Sequence, residues 1–183
     1  GPLAAAEAAR LMREIMSACL ALEKPLRVAY LGPEGTYTHL AALKHFGGSI
    51  DGVPLATIDD VTREVESAGG NYGVVPVENS VEGGINQTLD ALRDSPLQLC
   101  GEVVLNIHHQ LLSIAPEFTS IKRVYAHSQA LAQCRRWLSA NLPVAECIPL
   151  RSNGEAARRV RDEPEAAAIA SDVAAEIYQL DVL

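Results

Sequence analysis

Four stretches of this chain gather hydroxyl, carboxamide and carboxylate groups where a short apolar run passes into a helical one. They are Gly32-Pro33-Glu34-Gly35-Thr36-Tyr37-Thr38-His39, Pro76-Val77-Glu78-Asn79-Ser80-Val81-Glu82-Gly83-Gly84, Ala126-His127-Ser128-Gln129, and Arg151-Ser152-Asn153-Gly154-Glu155. The chemistry such a set suits is recognition of an anion. A helix N-terminus offers unpaired N–H donors and the positive end of its dipole, so it holds a carboxylate without needing a cation. That matters here because the four stretches are nearly free of Lys and Arg. Each also has a purely structural reading. Ser152 with Glu155 fits the capping box, and Gly32 to Thr36 lacks the Gly-Lys-Ser/Thr ending of a phosphate loop. His127 reads equally as a packed polar residue. Glu78-Asn79-Ser80 is harder to dismiss, because it follows the apolar run Val74-Val75-Pro76-Val77. A carboxylate buried at that strand end would need partners or would keep its proton.

The elements that must carry these loops alternate. Residues 3–23 predict one helix, rich in Ala, Leu, Met, Arg and Glu and stopped by Pro25, with Leu11, Ile15, Ala18 and Leu22 forming an apolar stripe. Strand-length apolar runs follow at 26–31, 73–77, 97–105, 110–114, 123–126, 144–150 and 167–170. Helical stretches are expected at 37–46, 58–67, 86–93, 129–140, 155–161 and 173–180. This alternation predicts an α/β fold with mainly parallel strands, in which ligands gather at the carboxyl ends of strands. The segment 97–114 is the expected crossing from one lobe to another.

Composition narrows the function classes. The net charge of −8 opposes binding to nucleic acid or to an anionic membrane surface. One Trp, five Tyr and two Phe are too few for base-stacking platforms. A hydrophobic fraction of 48% suffices for a buried core, yet no apolar run reaches the length of a membrane span. The N-terminal segment carries Glu7, Arg10, Arg13 and Glu14 where a secretion signal needs an apolar block. Gly1-Pro2 reads as a tag-cleavage scar. Cys19, Cys100, Cys134 and Cys147 make neither a CxxC pair nor a zinc pattern, and read as four separate reduced thiols of a cytoplasmic protein. His108 and His109, being adjacent, would point to opposite faces of a strand. No metal site is expected.

From about Leu26 to Leu183 the chain resembles the prephenate dehydratase family. The resemblance is carried by Gly32-Pro-Glu-Gly-Thr-Tyr-Thr38 followed by Ala41, and by Pro76-Val-Glu-Asn-Ser80 with Glu82-Gly83 and Thr88-Leu89-Asp90. It continues through Glu102 to Leu112 with His109, through His127, Gln129-Ala130-Leu131 and Gln133-Cys134, and through Ala168-Ile-Ala-Ser171 to Tyr178-Gln-Leu180. Their joint order makes the match specific. The resemblance implies two lobes of periplasmic-binding-protein-like type II architecture with a ligand cleft between them, lobe 1 about 26–104 and lobe 2 about 105–183.

Residues 1–25 add a second likeness. Arg13-Glu-Ile-Met-Ser-Ala-Cys-Leu-Ala-Leu-Glu23 is similar to the last helix of the helical chorismate mutase fused ahead of the dehydratase in bifunctional P-proteins. Cys19 and Glu23 match two positions lining that mutase pocket, and their spacing puts both on one helix face. With the rest of the mutase absent, no mutase activity is expected, and the striped helix is expected to pack on a neighbouring lobe or another copy. The family's Thr-Arg-Phe motif, whose threonine is its key hydroxyl, and the phenylalanine-binding ACT domain lie beyond Leu183. Little or no dehydratase activity is therefore expected of this chain alone, and feedback by phenylalanine only of the full-length protein. The family's usual Ser-His-Pro-Gln is Ala126-His127-Ser128-Gln129 here.

The reaction the resemblance implies is loss of carbon dioxide and water from prephenate to give phenylpyruvate, a carbon–oxygen lyase step in phenylalanine biosynthesis. It requires no cofactor or metal. Thr36, Tyr37 and Thr38 would donate to a carboxylate. Asn79, Ser80 and Gly83 would hold the ring end, with Glu78 governing local protonation. Gln133, Ser152, Asn153, Ala170 and Ser171 would close from the second lobe. Glu78, Asn79 and Gln133 are the residues expected to be catalytic. A homodimer is the expected assembly. Three rival readings are a non-catalytic two-lobe module that binds small carboxylates, an arogenate dehydratase, and a folded but inactive lobe pair that serves oligomerisation.

Overall fold

The computed structural model describes residues 2–80 and 83–183, so Gly1, Val81 and Glu82, the last two within the second loop, lie outside the described residues. The chain divides into two compact units. One comprises Gly1–Gly32 with Thr38–Leu105, the other Pro33–Tyr37 with Asn106–Leu183. The short Pro33–Tyr37 segment thus belongs with residues far along the chain.

The first unit opens with α1 (Ala5–Glu23), followed by β1 (Arg27–Leu31), α2 (Tyr37–Phe46), β2 (Asp51–Leu55), α3 (Ile58–Glu66) and β3 (Tyr72–Val74). A two-residue hairpin of β4 (Glu78–Asn79) and β5 (Gly83–Gly84) leads to α4 (Asn86–Arg93). Three parallel strands form the sheet, in the order β2-β1-β3. Its core is Val28, Tyr30 and Ala42, with Leu26, Phe46, Ile50 and Val74 against it. The β2 strand was not expected, because Gly52 and Pro54 are poor strand formers. Pro54 is tolerated because β2 is an edge, where a missing N–H breaks no ladder. Residues 97–105 contain no strand, contrary to expectation: they carry several apolar side chains, yet their backbone pairs with no strand.

The helix α1 forms as expected but packs by a different face. Leu11, Ile15, Ala18 and Leu22 are exposed, as are Cys19 and Glu23. The buried residue is Ser17, whose hydroxyl accepts from the Ser49 N–H at 3.2 Å, while Glu14 accepts from the Gly48 N–H at 2.9 Å. Gly47, at φ +87°, approaches Ser17 so closely that a Cβ there would lie 2.5 Å from the Ser17 Cβ. Small size and hydrogen bonding, not the apolar stripe, set this contact.

The second unit contains β6 (Gln110–Ser113), a 3-10 turn at Phe118–Ser120, β7 (Arg123–His127), α5 (Ser128–Asn141), β8 (Glu146–Leu150) and α6 (Asn153–Val160). It ends with β9 (Ala166–Ala170), α7 (Asp172–Tyr178) and β10 (Asp181–Val182). The strand order is β10-β6-β9-β7-β8. Strands β7, β8 and β9 run parallel, while β6 runs antiparallel to both its neighbours, β9 and β10, so this one reversed strand makes the sheet mixed. The central β9, Ala-Ala-Ala-Ile-Ala, is buried throughout. Strand alternation divides it: Ala166, Ala168 and Ala170 join Tyr125, Leu112 and residues of α6 and α7, while Ala167 and Ile169 join Val124, Leu111 and residues of α5. Such small side chains bring α6 and α7 close to the sheet, and this closeness positions the loop described next.

Candidate functional site

The Pro33–Tyr37 loop is seated on the ends of α6 and α7. The Ser171 hydroxyl donates to the Gly35 carbonyl at 3.1 Å, and the Tyr178 hydroxyl donates to the Glu34 carbonyl at 3.0 Å. Gly35 adopts φ +78°, a conformation that favours glycine. Gly154 lets the loop approach: a Cβ there would meet the Glu34 carbonyl oxygen at 2.8 Å and the Thr36 nitrogen at 3.3 Å. Three helices of this unit begin with side-chain caps. His127 Nδ1 accepts from the Gln129 N–H at 3.4 Å, Ser152 Oγ from the Glu155 N–H at 3.1 Å, and Ser171 Oγ from the Ala174 N–H at 3.2 Å. The expected capping box is displaced by one residue, since the Glu155 carboxylate accepts from the Arg151 N–H.

Tyr37 is the centre of a polar cluster. Its hydroxyl lies 2.9 Å from His109 Nδ1. His109 Nε2 lies 2.7 Å from Gln133 Oε1. Asn153 also hydrogen-bonds the Tyr37 hydroxyl, and the Asn153 Oδ1 accepts from the His127 N–H at 2.8 Å. Burial, with the neighbouring Cys134 adding to it, pushes the Tyr37 phenol far above its ordinary range, against the opposing hydrogen bond from Asn153. Tyr37 is therefore a neutral phenol over the whole working pH range. Burial raises the Cys134 thiol as well. Burial, then the charge of Glu34, raises Tyr178.

Among the expected site residues, Thr36, Tyr37, Gln133, Ser152, Asn153, Ala170 and Ser171 all fall in this second unit. Their roles differ. Ser171 is buried, and its hydroxyl is committed to the loop and to its own helix. The Ala170 side chain is part of the core. Thr38, half-buried, groups with the first unit. So do Glu78, Asn79, Ser80 and Gly83. There Glu78 pairs with Gly84 and Asn79 with Gly83 across the β4–β5 hairpin, with Gly83 at φ +79°. The hairpin is held by Thr88, whose buried hydroxyl donates to the Pro76 carbonyl at 2.6 Å. Glu78 is exposed, so the buried carboxylate considered from the sequence is not what this strand end presents.

Sequence reasoning did not assign a role to His109, Gly154 or Tyr178. His109, half-buried, lies just ahead of β6 while His108 is exposed, and neither belongs to the strand. The available signal was a polar ring beside a buried strand, which does not name a partner 72 residues away.

A half-buried tyrosine, two carboxamides and helix N-termini thus gather around one loop of a mixed α/β unit, an arrangement suited to holding a small organic anion. A family model for prephenate dehydratase matches residues 28–183, and the chain belongs to that family. It is 54% identical over 184 residues to the bifunctional chorismate mutase/prephenate dehydratase of Pseudomonas aeruginosa, covering 100% of this chain and 50% of that protein. The chain thus spans about half the length of the curated relatives it matches. Among solved structures it is similar to the prephenate dehydratase from Arthrobacter aurescens in complex with L-Phe (TM-score 0.76, 32% identity), covering 86% of this chain and 54% of that one. It is also similar to GqqA, described as a novel type of quorum quenching acylase (TM-score 0.77, 25% identity), covering 86% of this chain and 57% of that one. Among the described residues no helix is long and apolar enough to cross a membrane.

Proposed function

We propose that this chain supplies most of the substrate-binding machinery of a cytoplasmic prephenate dehydratase within a bifunctional protein. The observation that carries the reading is the family match over residues 28–183 together with the convergence of its motif residues on the Pro33–Tyr37 loop. The α1 helix fits the tail of a chorismate mutase, since the match to the bifunctional Pseudomonas aeruginosa relative covers the whole chain, including residues ahead of 28. A homodimer and a two-lobe, periplasmic-binding-protein-like type II arrangement are part of the same proposal, on the strength of the family likeness.

The chemistry sets the roles. Prephenate is a dianion. It takes up one proton and loses carbon dioxide and water to leave phenylpyruvate with a single negative charge. The pyruvyl carboxylate keeps its charge throughout and needs fixed donors. Thr36, Tyr37 and Thr38 at the start of α2, Ser152 and Asn153 at the start of α6, and the Gln133 carboxamide supply them. Tyr37 gives its backbone N–H, and its phenol, staying protonated toward His109, adds no negative charge to repel the substrate. The ring carboxylate gives up its electron pair as it fragments, so it gains from having few donors of its own. The departing hydroxyl needs a proton donor. Asn79, Ser80 and Gly83 hold the ring end, and the exposed Glu78 shapes local protonation there.

The test is turnover of prephenate to phenylpyruvate by the protein at the length of its bifunctional relatives, with arogenate as the competing substrate. Conversion of prephenate supports the reading. Preference for arogenate would change the substrate. Binding of phenylpyruvate without turnover would leave a carboxylate-binding module, and hydrolysis of an N-acyl amide in place of either would overturn the assignment.

A further inference from the structure

The hydrogen bonds through Tyr37 run in one direction. The His127 backbone N–H can only donate, and it donates to Asn153 Oδ1 at 2.8 Å. This orients the Asn153 amide, so the end that reaches Tyr37 is the donor Nδ2. With that donor end turned toward it, the Tyr37 oxygen directs its own proton to His109 Nδ1 at 2.9 Å. A neutral imidazole that accepts at Nδ1 carries its proton on Nε2. His109 Nε2 faces Gln133 Oε1 at 2.7 Å, and that oxygen can only accept. The reverse polarity would make both Asn153 and His109 donate to the Tyr37 oxygen, leaving the phenol proton of a half-buried side chain without a place. One obligate donor at the His127 backbone therefore sets every group as far as the Gln133 amide.

We infer that His109 is a positioning residue of the site: held as the Nε2–H tautomer between Tyr37 and Gln133, it fixes the Gln133 carboxamide with its NH2 end presented as the donor to a substrate carboxylate. The role rests on the dehydratase reading above, but the tautomer does not. His109 touches no reacting atom. It works through Gln133, whose side chain is otherwise exposed on α5 and would rotate among rotamers. Alignment of a donor in this way is worth about 100-fold in rate where it places a substrate for reaction.

Two measurements test it. Long-range proton–nitrogen spectra of the full chain read the His109 ring directly. We expect Nε2 protonated and Nδ1 bare, with the Nδ1 resonance moving toward that of a non-bonded ring nitrogen in Tyr37→Phe. A proton on Nδ1, or no response to Tyr37→Phe, overturns the relay. In the protein at the length of its bifunctional relatives, His109→Leu and Gln133→Ala should each lower kcat/KM by about 10- to 100-fold. The double variant should be no worse than Gln133→Ala, because one residue acts through the other. His109→Gln, which keeps a donor toward Gln133, should recover most of the loss. Losses that multiply in the double variant, or no recovery by glutamine, contradict positioning. Should His109→Leu fail to fold, Tyr37→Phe with Gln133→Ala makes the same cycle. Absence of turnover in the unsubstituted protein would end the dehydratase reading, and the spectra alone would then decide the relay.

Discussion

The Ser171 hydroxyl donates to the Gly35 carbonyl at 3.1 Å across 136 residues of sequence, while it also accepts from the Ala174 N–H that opens α7. One buried hydroxyl thus joins the N-terminal loop to the end of the chain's central strand. Ser171→Ala leaves a buried carbonyl and a helix N-terminus without this partner. The expected loss is about 1–3 kcal/mol, read as a lower urea midpoint with an unchanged slope. Ser171→Thr, which keeps the hydroxyl, should lose less.

Gly154→Ala tests the close approach of the loop. The added Cβ would meet backbone atoms of Glu34 and Thr36, which cannot swing aside as a flexible side chain can. We expect a cost of about 1–3 kcal/mol, and backbone amide shifts displaced at Glu34 to Tyr37. Gly84→Ala, where a Cβ would meet nothing within 4 Å, is the control and should leave stability near its starting value.

The pH dependence of stability should include Glu163. Its carboxylate accepts from Arg159 Nε at 2.9 Å and from the Tyr125 hydroxyl at 2.9 Å, and faces Arg123 at 3.4 Å. The hydrogen bond from Arg159 is the main cause that holds it below the usual carboxylate range, with burial opposing. A pKa depressed in the folded state contributes stability above the unfolded value, and that contribution is lost as pH falls through the folded one. Glu163→Gln should therefore cost most near neutrality, and the difference from the native chain should shrink below about pH 4.3. Denaturation midpoints at several pH values check this. A difference that grows on acidification contradicts it.

Asn79→Ala tests the hairpin of the first unit. Asn79 pairs with Gly83 through its backbone, which alanine preserves, so the fold should stand. In the protein at the length of its bifunctional relatives we expect kcat/KM for prephenate to fall at least about 10-fold, a loss of roughly 1.4 kcal/mol of transition-state stabilisation. Unchanged kinetics would remove Asn79 from the site.

How far the sequence went depended on the range of the forces involved. The cap at Ser152, the strand at Ala166–Ala170 and the helices following each polar loop are local, and periodicity with capping chemistry finds them. The edge strand at Asp51–Leu55 was hidden by Gly52 and Pro54, since pairing with β1 overrides weak propensity. Residues 97–105 were misread for the opposite reason: an apolar pattern without a pairing partner makes no strand. The contact that α1 makes within its unit was not legible, because Gly47 admits Ser17 where a larger pair would not fit. In the polar cluster, Tyr37 and Gln133 were singled out through the family's motifs and Asn153 through its place at a strand-to-helix junction, whereas His109, though within a motif, was given no role because its contacts depend on partners brought in by the fold.

The most direct test of the account is a titration of the chain with phenylpyruvate followed by backbone and side-chain amide spectra. The account predicts saturable shifts at Thr36, Tyr37, Thr38, Ser152 and Asn153 and at the Gln133 side-chain NH2. Saturable binding whose shifts bypass the Pro33–Tyr37 loop and the start of α6 would contradict it.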